Sequence, residues 1–194
     1  IQQGVNVEPL RTLLFVPGNR PNMIEKARSL PADAIVLDLE DSVPAVEKAN
    51  ARAVVRDSLV GLSRRGRKVF VRINSLATGL AQDDLDAVVS QGLDGISQPK
   101  PSSSGDIGEV AAILEHLERK RGIERGHIKL LPWVETAKGV VSAFDIASAS
   151  PRVVGIAFGA EDFTLDTGMM RTEEGEELLL PRVMVVIAAK AAEV

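Results

Sequence analysis

Four carboxylates in this sequence stand just past apolar runs: Glu40 and Asp41 after residues 34–37, Glu135 after residues 128–134, and Asp162 after residues 153–158. Brought together bare, they would repel one another. An oxygen-rich cluster of that kind is relieved by a hard divalent cation or by arginine and lysine. Mg²⁺ suits it, because that ion takes one or two carboxylates and leaves its other positions to water or substrate oxygens. Cationic residues stand at equivalent places: Arg20 after the first run, Arg72 in the third and Lys100 after the fourth. The chemistry within reach of such a set is the binding and polarising of a small anionic substrate. Structural roles compete with it. Asp41, Glu161 and Asp162 can each cap a following helix, Arg72 can pair with a neighbouring acid, and Lys100 can be solvated. Glu135 is harder to explain that way, because it closes a long apolar strand.

The elements that must position these groups follow from the same runs. Residues 13–16, 34–37, 69–73, 95–98, 128–134 and 153–158 are apolar without clean alternation, the mark of parallel strands buried on both faces. Between them lie segments with helical spacing: Leu85, Val88 and Val89; Val110, Ile113, Leu114 and Leu117; Val140, Phe144 and Ala147. Asp83 or Asp84 is a candidate cap for the first of these and Asp106 for the second, while Gly61 and Gly92 mark helix ends. Residues 101–105 and 169–177 read as loops, and 181–194 as the sixth helix. The alternation predicts a (β/α)8 (TIM) barrel, a single domain over residues 1–194 that is C-terminally incomplete, with its last two strands beyond Val194. An open doubly wound sheet is the alternative, although no G-x-G-x-x-G turn follows the first strand. In both folds ligands bind at the carboxyl ends of strands. All six strands end in reactive or close-turning residues: Pro17-Gly18-Asn19-Arg20, then Asp38 with Glu40 and Asp41, Arg72 with Asn74, Pro99-Lys100, Glu135-Thr136, and Gly159-Ala160-Glu161-Asp162.

Composition narrows the classes. The 194 residues include no cysteine, which excludes disulfide scaffolds, thiolate metal sites and cysteine nucleophiles. Of the two histidines, His116 belongs to a helix and His127 to the start of a strand, so zinc and facial-triad iron sites are not expected. The net charge is −4, and the short basic run of Arg64, Arg65, Arg67 and Lys68 reads as a solvated turn, so no nucleic-acid partner is expected. No run reaches the roughly 18 apolar residues of a membrane span. The first ten residues lack a signal-peptide pattern, which gives a cytoplasmic expectation.

The words Arg11-Thr-Leu-Leu-Phe-Val-Pro-Gly18, Leu37-Asp-Leu-Glu-Asp-Ser-Val-Pro44 followed by Lys48 and Arg52, Val71-Arg-Ile-Asn74, Pro99-Lys100, Glu135-Thr-Ala-Lys-Gly139 and Gly155-Ile-Ala-Phe-Gly-Ala-Glu-Asp162 occur in order. In these the sequence resembles the citrate lyase β-subunit family of the HpcH/HpaI aldolase group. The resemblance implies a Mg²⁺-dependent barrel, trimeric or hexameric, acting on CoA or acyl-carrier thioesters. It implies Glu135 and Asp162 as metal ligands, with Glu135 thereby at the substrate, and Arg72 as the arginine for the substrate carboxylate. The reaction implied is carbon–carbon cleavage of a citryl-, citramalyl- or malyl-type thioester into an acetyl thioester and a 2-oxo acid. Glu40 or Asp41 would serve as base or orient a metal-bound water, and Arg20 and Lys26 would meet the phosphates of CoA. Two departures stand out. Pro101-Ser-Ser-Ser104 follows Pro99-Lys100 where the family usually has an acid, and the family's C-terminal acid lies in a segment this sequence does not contain. Two other functions fit the same words: an aldolase releasing pyruvate from a free hydroxy-oxo-acid, and a non-catalytic or complex-dependent lyase subunit.

Overall fold

A computed structural model describes residues 10–63 and 67–194. The basic run Arg64-Arg65 and the N-terminal residues 1–9 lie outside them. The described elements alternate as expected: β1 (Leu13–Pro17), α1 (Pro21–Ala27), β2 (Ala34–Asp38), α2 (Lys48–Ser63), β3 (Lys68–Arg72), α3 (Ala81–Val88), β4 (Gly95–Pro99), α4 (Ser104–Arg121), β5 (Lys129–Val134), α5 (Ala137–Val141), α6 (Ala143–Ser148), β6 (Ala157–Phe158), α7 (Ala160–Thr167) and α8 (Leu179–Ala191). The strands form one sheet in the order β1-β2-β3-β4-β5-β6, with every pairing parallel.

The sheet is curled. The rings of Phe15 on β1 and Trp133 on β5 lie edge-on at 5.2 Å, with three strands between them. In a flat sheet these strands would stand roughly 19 Å apart at the usual interstrand spacing. The concave side packs Ala34, Val36, Phe70 and Leu131 with Leu13 and Phe15. Gly95 belongs to that interior, because a Cβ there would meet the Phe70 ring at 2.3 Å. The alternate residues Ile35, Leu37, Val69, Val71, Ile96 and Leu130 join the helices in the larger outer core. This two-sided burial accounts for strands that read as unbroken apolar runs. The architecture is that of a barrel wall missing its closing strands.

Some local expectations are corrected. Gly61 lies inside α2, where the Arg28 guanidinium packs against it and a Cβ would meet Nη2 at 2.6 Å. Neither Asp83 nor Asp84 caps α3, whose N-cap is Leu80. Ser103 caps α4, and Asp106 serves as the reciprocal member of its capping box. Gly92 lies in the turn between α3 and β4 rather than at the helix end.

At the far edge β6 keeps one side unpaired among the described residues, and α8 exposes Leu179, Leu180, Val186 and Ile187. A cleft of about 520 Å³ lies between β6, residues 171–175 and α8. No helix among the described residues is long and apolar enough to cross a membrane.

Candidate functional site

The curl carries the carboxyl ends of β2, β3, β4, β5 and β6 into one basin. Asp38 and Arg72 are register partners on β2 and β3 and point to the concave side. Arg72 donates from Nε to Asp38 Oδ1 and from Nη2 to Asp38 Oδ2, both at 2.7 Å, a bidentate pair. Its Nη1 faces Asp41 Oδ2 at 3.3 Å and Glu40 Oε2 at 3.1 Å, and its guanidinium carbon stands 5.1 Å from the Phe15 ring centroid. One edge of Arg72 is therefore bound to a structural acid, and Nη1 is turned to the basin. Burial opposes its charge, but Asp38 and the neighbouring acids raise its pKa. Burial likewise works against the Asp38 carboxylate, yet Arg72 and Ser42 hold it below its ordinary range.

Glu40 and Glu135 are both buried. Glu40 Oε1 accepts from Lys100 Nζ at 2.8 Å, while buried Oε2 lacks a hydrogen-bond partner despite its closeness to Arg72. Desolvation raises the pKa of Glu40. Desolvation also pushes Glu135 up to about 7, with Lys100 pulling it down and Asp162 pushing it further up. Glu135 Oε1 accepts from the Lys100 backbone at 3.2 Å. Its carboxylate owes its position to Gly159, where a Cβ would meet Oε2 at 2.2 Å. Thr136 caps α5 by accepting from Gly139 at 3.0 Å, and Gly139 is held by space too, since a Cβ would strike Pro101 O at 2.8 Å. These contacts explain Gly139, Gly159 and Thr136 of the two words.

Asp162 lies in the first turn of α7 and meets Lys100 Nζ at 3.2 Å. Its neighbour Glu161 turns outward and pairs with Arg171 of the following loop. Behind the basin, Lys48 donates to the carbonyls of Leu39 and Glu40, both at 2.7 Å, and fully buried Asp84 accepts from Arg52 and Asn74. That network fixes the ends of β2 and β3.

The structure thus gathers Glu40, Asp41, Arg72, Glu135 and Asp162. Arg20 and Lys26 lie apart, exposed on α1 and its N-cap, with no side-chain hydrogen bond or ion pair among the described residues. Asp38 is the member that sequence reasoning left without a role, and Lys100 the one it gave no specific partner. The register of β2 on β3 is the signal that pairs Asp38 with Arg72. His116 on α4 and His127 before β5 are not members.

Among the described residues no three histidine or acid groups converge as a protein-only metal shell. Glu135 and Asp162 offer carboxylate oxygens from adjoining elements to a hard cation that keeps other positions free. The Lys100 ammonium answers part of the demand for positive charge there.

The family described as HpcH/HpaI aldolase/citrate lyase matches residues 11–194. Citrate lyase subunit beta of Leuconostoc mesenteroides subsp. cremoris is 39% identical over 182 residues, 94% of this chain and 60% of that protein. An L-malyl-CoA/beta-methylmalyl-CoA lyase of Cereibacter sphaeroides is 35% identical, over 90% of this chain and 56% of its own length. The solved citrate lyase beta subunit of M. tuberculosis, complexed with oxaloacetate and magnesium, superposes with a TM-score of 0.74 at 30% identity, covering 93% of this chain and 74% of that one. The chain thus spans about 60% of the length of the first of these relatives.

Proposed function

This chain belongs to the HpcH/HpaI aldolase/citrate lyase family, and from that premise we propose that it acts as a Mg²⁺-dependent carbon–carbon lyase on a 3-hydroxy-acid thioester. The observation that carries the reading is the meeting of Glu40, Arg72, Lys100 and Asp162 with buried Glu135 at the carboxyl ends of the strands. The acids fit the metal: Glu135 is desolvated with a raised pKa, its oxygen is cradled by Gly159, and a cation is already drawn to Asp162. Held by Glu135 and Asp162, Mg²⁺ would bind the substrate's carboxylate and hydroxyl and acidify that hydroxyl.

The chain's own groups supply the rest. Arg72 turns Nη1 to the basin, where a substrate carboxylate would take the place of Asp41, while Asp38 fixes its plane, so the arginine arrives pre-oriented. Its positive charge stabilises the negative charge that develops as the bond breaks. Glu40 is the better base of the two acids considered. It is buried, its pKa is raised and one oxygen lacks a hydrogen bond, whereas the Asp41 side chain is 58% exposed. Arg20 and Lys26, free at the rim and on α1, are assigned to the phosphates of the thioester's carrier.

Acetyl-CoA release from citramalyl-, malyl- and citryl-CoA, each with Mg²⁺ and with EDTA, tests this. Release from one of them, abolished by EDTA, is the expected result and names the oxo acid. Mg²⁺ binding without release from any of them refutes a thioester lyase that acts alone and leaves the free-acid aldolase or the subunit role. A second reading, turnover only together with further polypeptide, is favoured by the apolar α8 face and the unpaired edge of β6.

A further inference from the structure

Lys100 stands where its backbone would not choose to be. It has φ 52°, one of two non-glycine residues in the left-handed region among the described residues, and it is fixed between Pro99 and Pro101. Its backbone N–H donates to Glu135 Oε1 at 3.2 Å, and its Nζ lies 2.8 Å from Glu40 Oε1 and 3.2 Å from Asp162 Oδ2. Acids from the ends of β2, β5 and the first turn of α7 therefore converge on one residue of β4's end. Burial opposes its charge, but the Glu40 hydrogen bond and the nearby carboxylates outweigh it and keep the ammonium protonated. Arg72 contributes less to this cluster, because Asp38 occupies two of its nitrogens. With all three acids ionised, Glu40, Glu135 and Asp162 exceed the Lys100 ammonium by two negative charges, the deficit a divalent ion fills.

We propose that Lys100 is a built-in counter-cation, which holds the metal-free site together through Glu40 and Asp162 and yields Asp162 to an incoming divalent ion. This rests on the reading of Glu135 and Asp162 as metal ligands. The ammonium keeps Glu40 after the exchange, and the incoming ion supplies the two positive charges that the lysine alone leaves unmet. The strained backbone holds the lysine stem at the edge of the cluster and limits its motion to the side chain.

The test compares wild type, Lys100→Met and Lys100→Arg by Mg²⁺ titration calorimetry and by melting temperature in EDTA and in saturating Mg²⁺. Removal of one competing unit charge a few ångströms away should tighten Mg²⁺ binding by Lys100→Met on the order of tenfold. The same variant should melt lower than wild type in EDTA and recover in Mg²⁺, while Lys100→Arg stays near wild type in both. Equal or weaker Mg²⁺ binding by Lys100→Met, with wild type binding normally, overturns the exchange alone. So does a melting deficit of the same size with and without Mg²⁺, which marks a purely structural lysine. Wild type that binds no Mg²⁺ overturns the metal reading and the exchange together.

Discussion

Gly159→Ala isolates the contribution of one missing methyl group. The residue sits at φ −98°, where alanine is at ease, so the substitution acts through space rather than through backbone strain. A Cβ would lie 2.2 Å from Glu135 Oε2 and 2.8 Å from Glu135 Cβ. Relaxing the first contact to about 3.5 Å moves the carboxylate by roughly 1 Å. Mg²⁺ demands near-ideal octahedral geometry at about 2.0–2.1 Å, so a ligand displaced that far loses much of its grip. We expect Mg²⁺ affinity to fall by about tenfold or more, and kcat/KM by about a hundredfold, the scale of a 1 Å misplacement. Overpacking should cost about 1–2 kcal/mol, at the gentler end because the clash falls partly on a side-chain tip. Calorimetric Mg²⁺ titration and urea midpoints in EDTA read the two effects separately, with Glu135→Gln as the reference for a lost ligand. Unchanged Mg²⁺ affinity in a folded Gly159→Ala protein would refute both the placement of the metal on Glu135 and the steric argument.

Arg72→Ala strips a buried carboxylate of its bidentate partner, and we expect about 3–5 kcal/mol of lost stability in urea together with a collapse of kcat/KM; full activity would rule out the assigned role. Because Glu135 is pushed up to about 7, it is protonated below that pH in the metal-free protein, so Mg²⁺ must displace a proton there. The apparent Kd should therefore rise as pH falls through 7 and level off above it, and a Kd flat from pH 6 to 8 contradicts this. Arg20→Glu with Lys26→Glu should raise KM for a CoA thioester in a salt-dependent way with kcat nearly unchanged; an unaltered KM removes both from the carrier site.

The strands were legible because the central ones are buried on both faces and so read as apolar runs. The alternation of inner and outer residues becomes visible only once the curl separates Val36 and Phe70 inside from Leu37 and Val71 outside. The acids of the site were legible from their places at strand ends. Lys100 was legible only as a strand-end cation and its partners were not, because three distant chain segments reach one ammonium, a product of sheet curvature and not of local pattern. Asp84 looked like a helix cap by its position near the start of α3, yet tertiary partners Arg52 and Asn74 claim it inside the protein. Gly61 looked like a helix end, and Arg28 gives it a packing reason to sit within α2 instead.

The contact of Phe15 with Trp133 has an optical consequence. Trp133 is the only tryptophan of the sequence, which has no tyrosine. It lies two residues before Glu135, its indole N–H is buried without an acceptor, and the Phe15 ring beside it lies against Arg72. Nearly all ultraviolet fluorescence of this chain therefore originates inside the basin. Its emission wavelength and quenching should follow occupancy of the site directly, giving an unlabelled signal fast enough for stopped-flow observation of metal and acid arriving in turn.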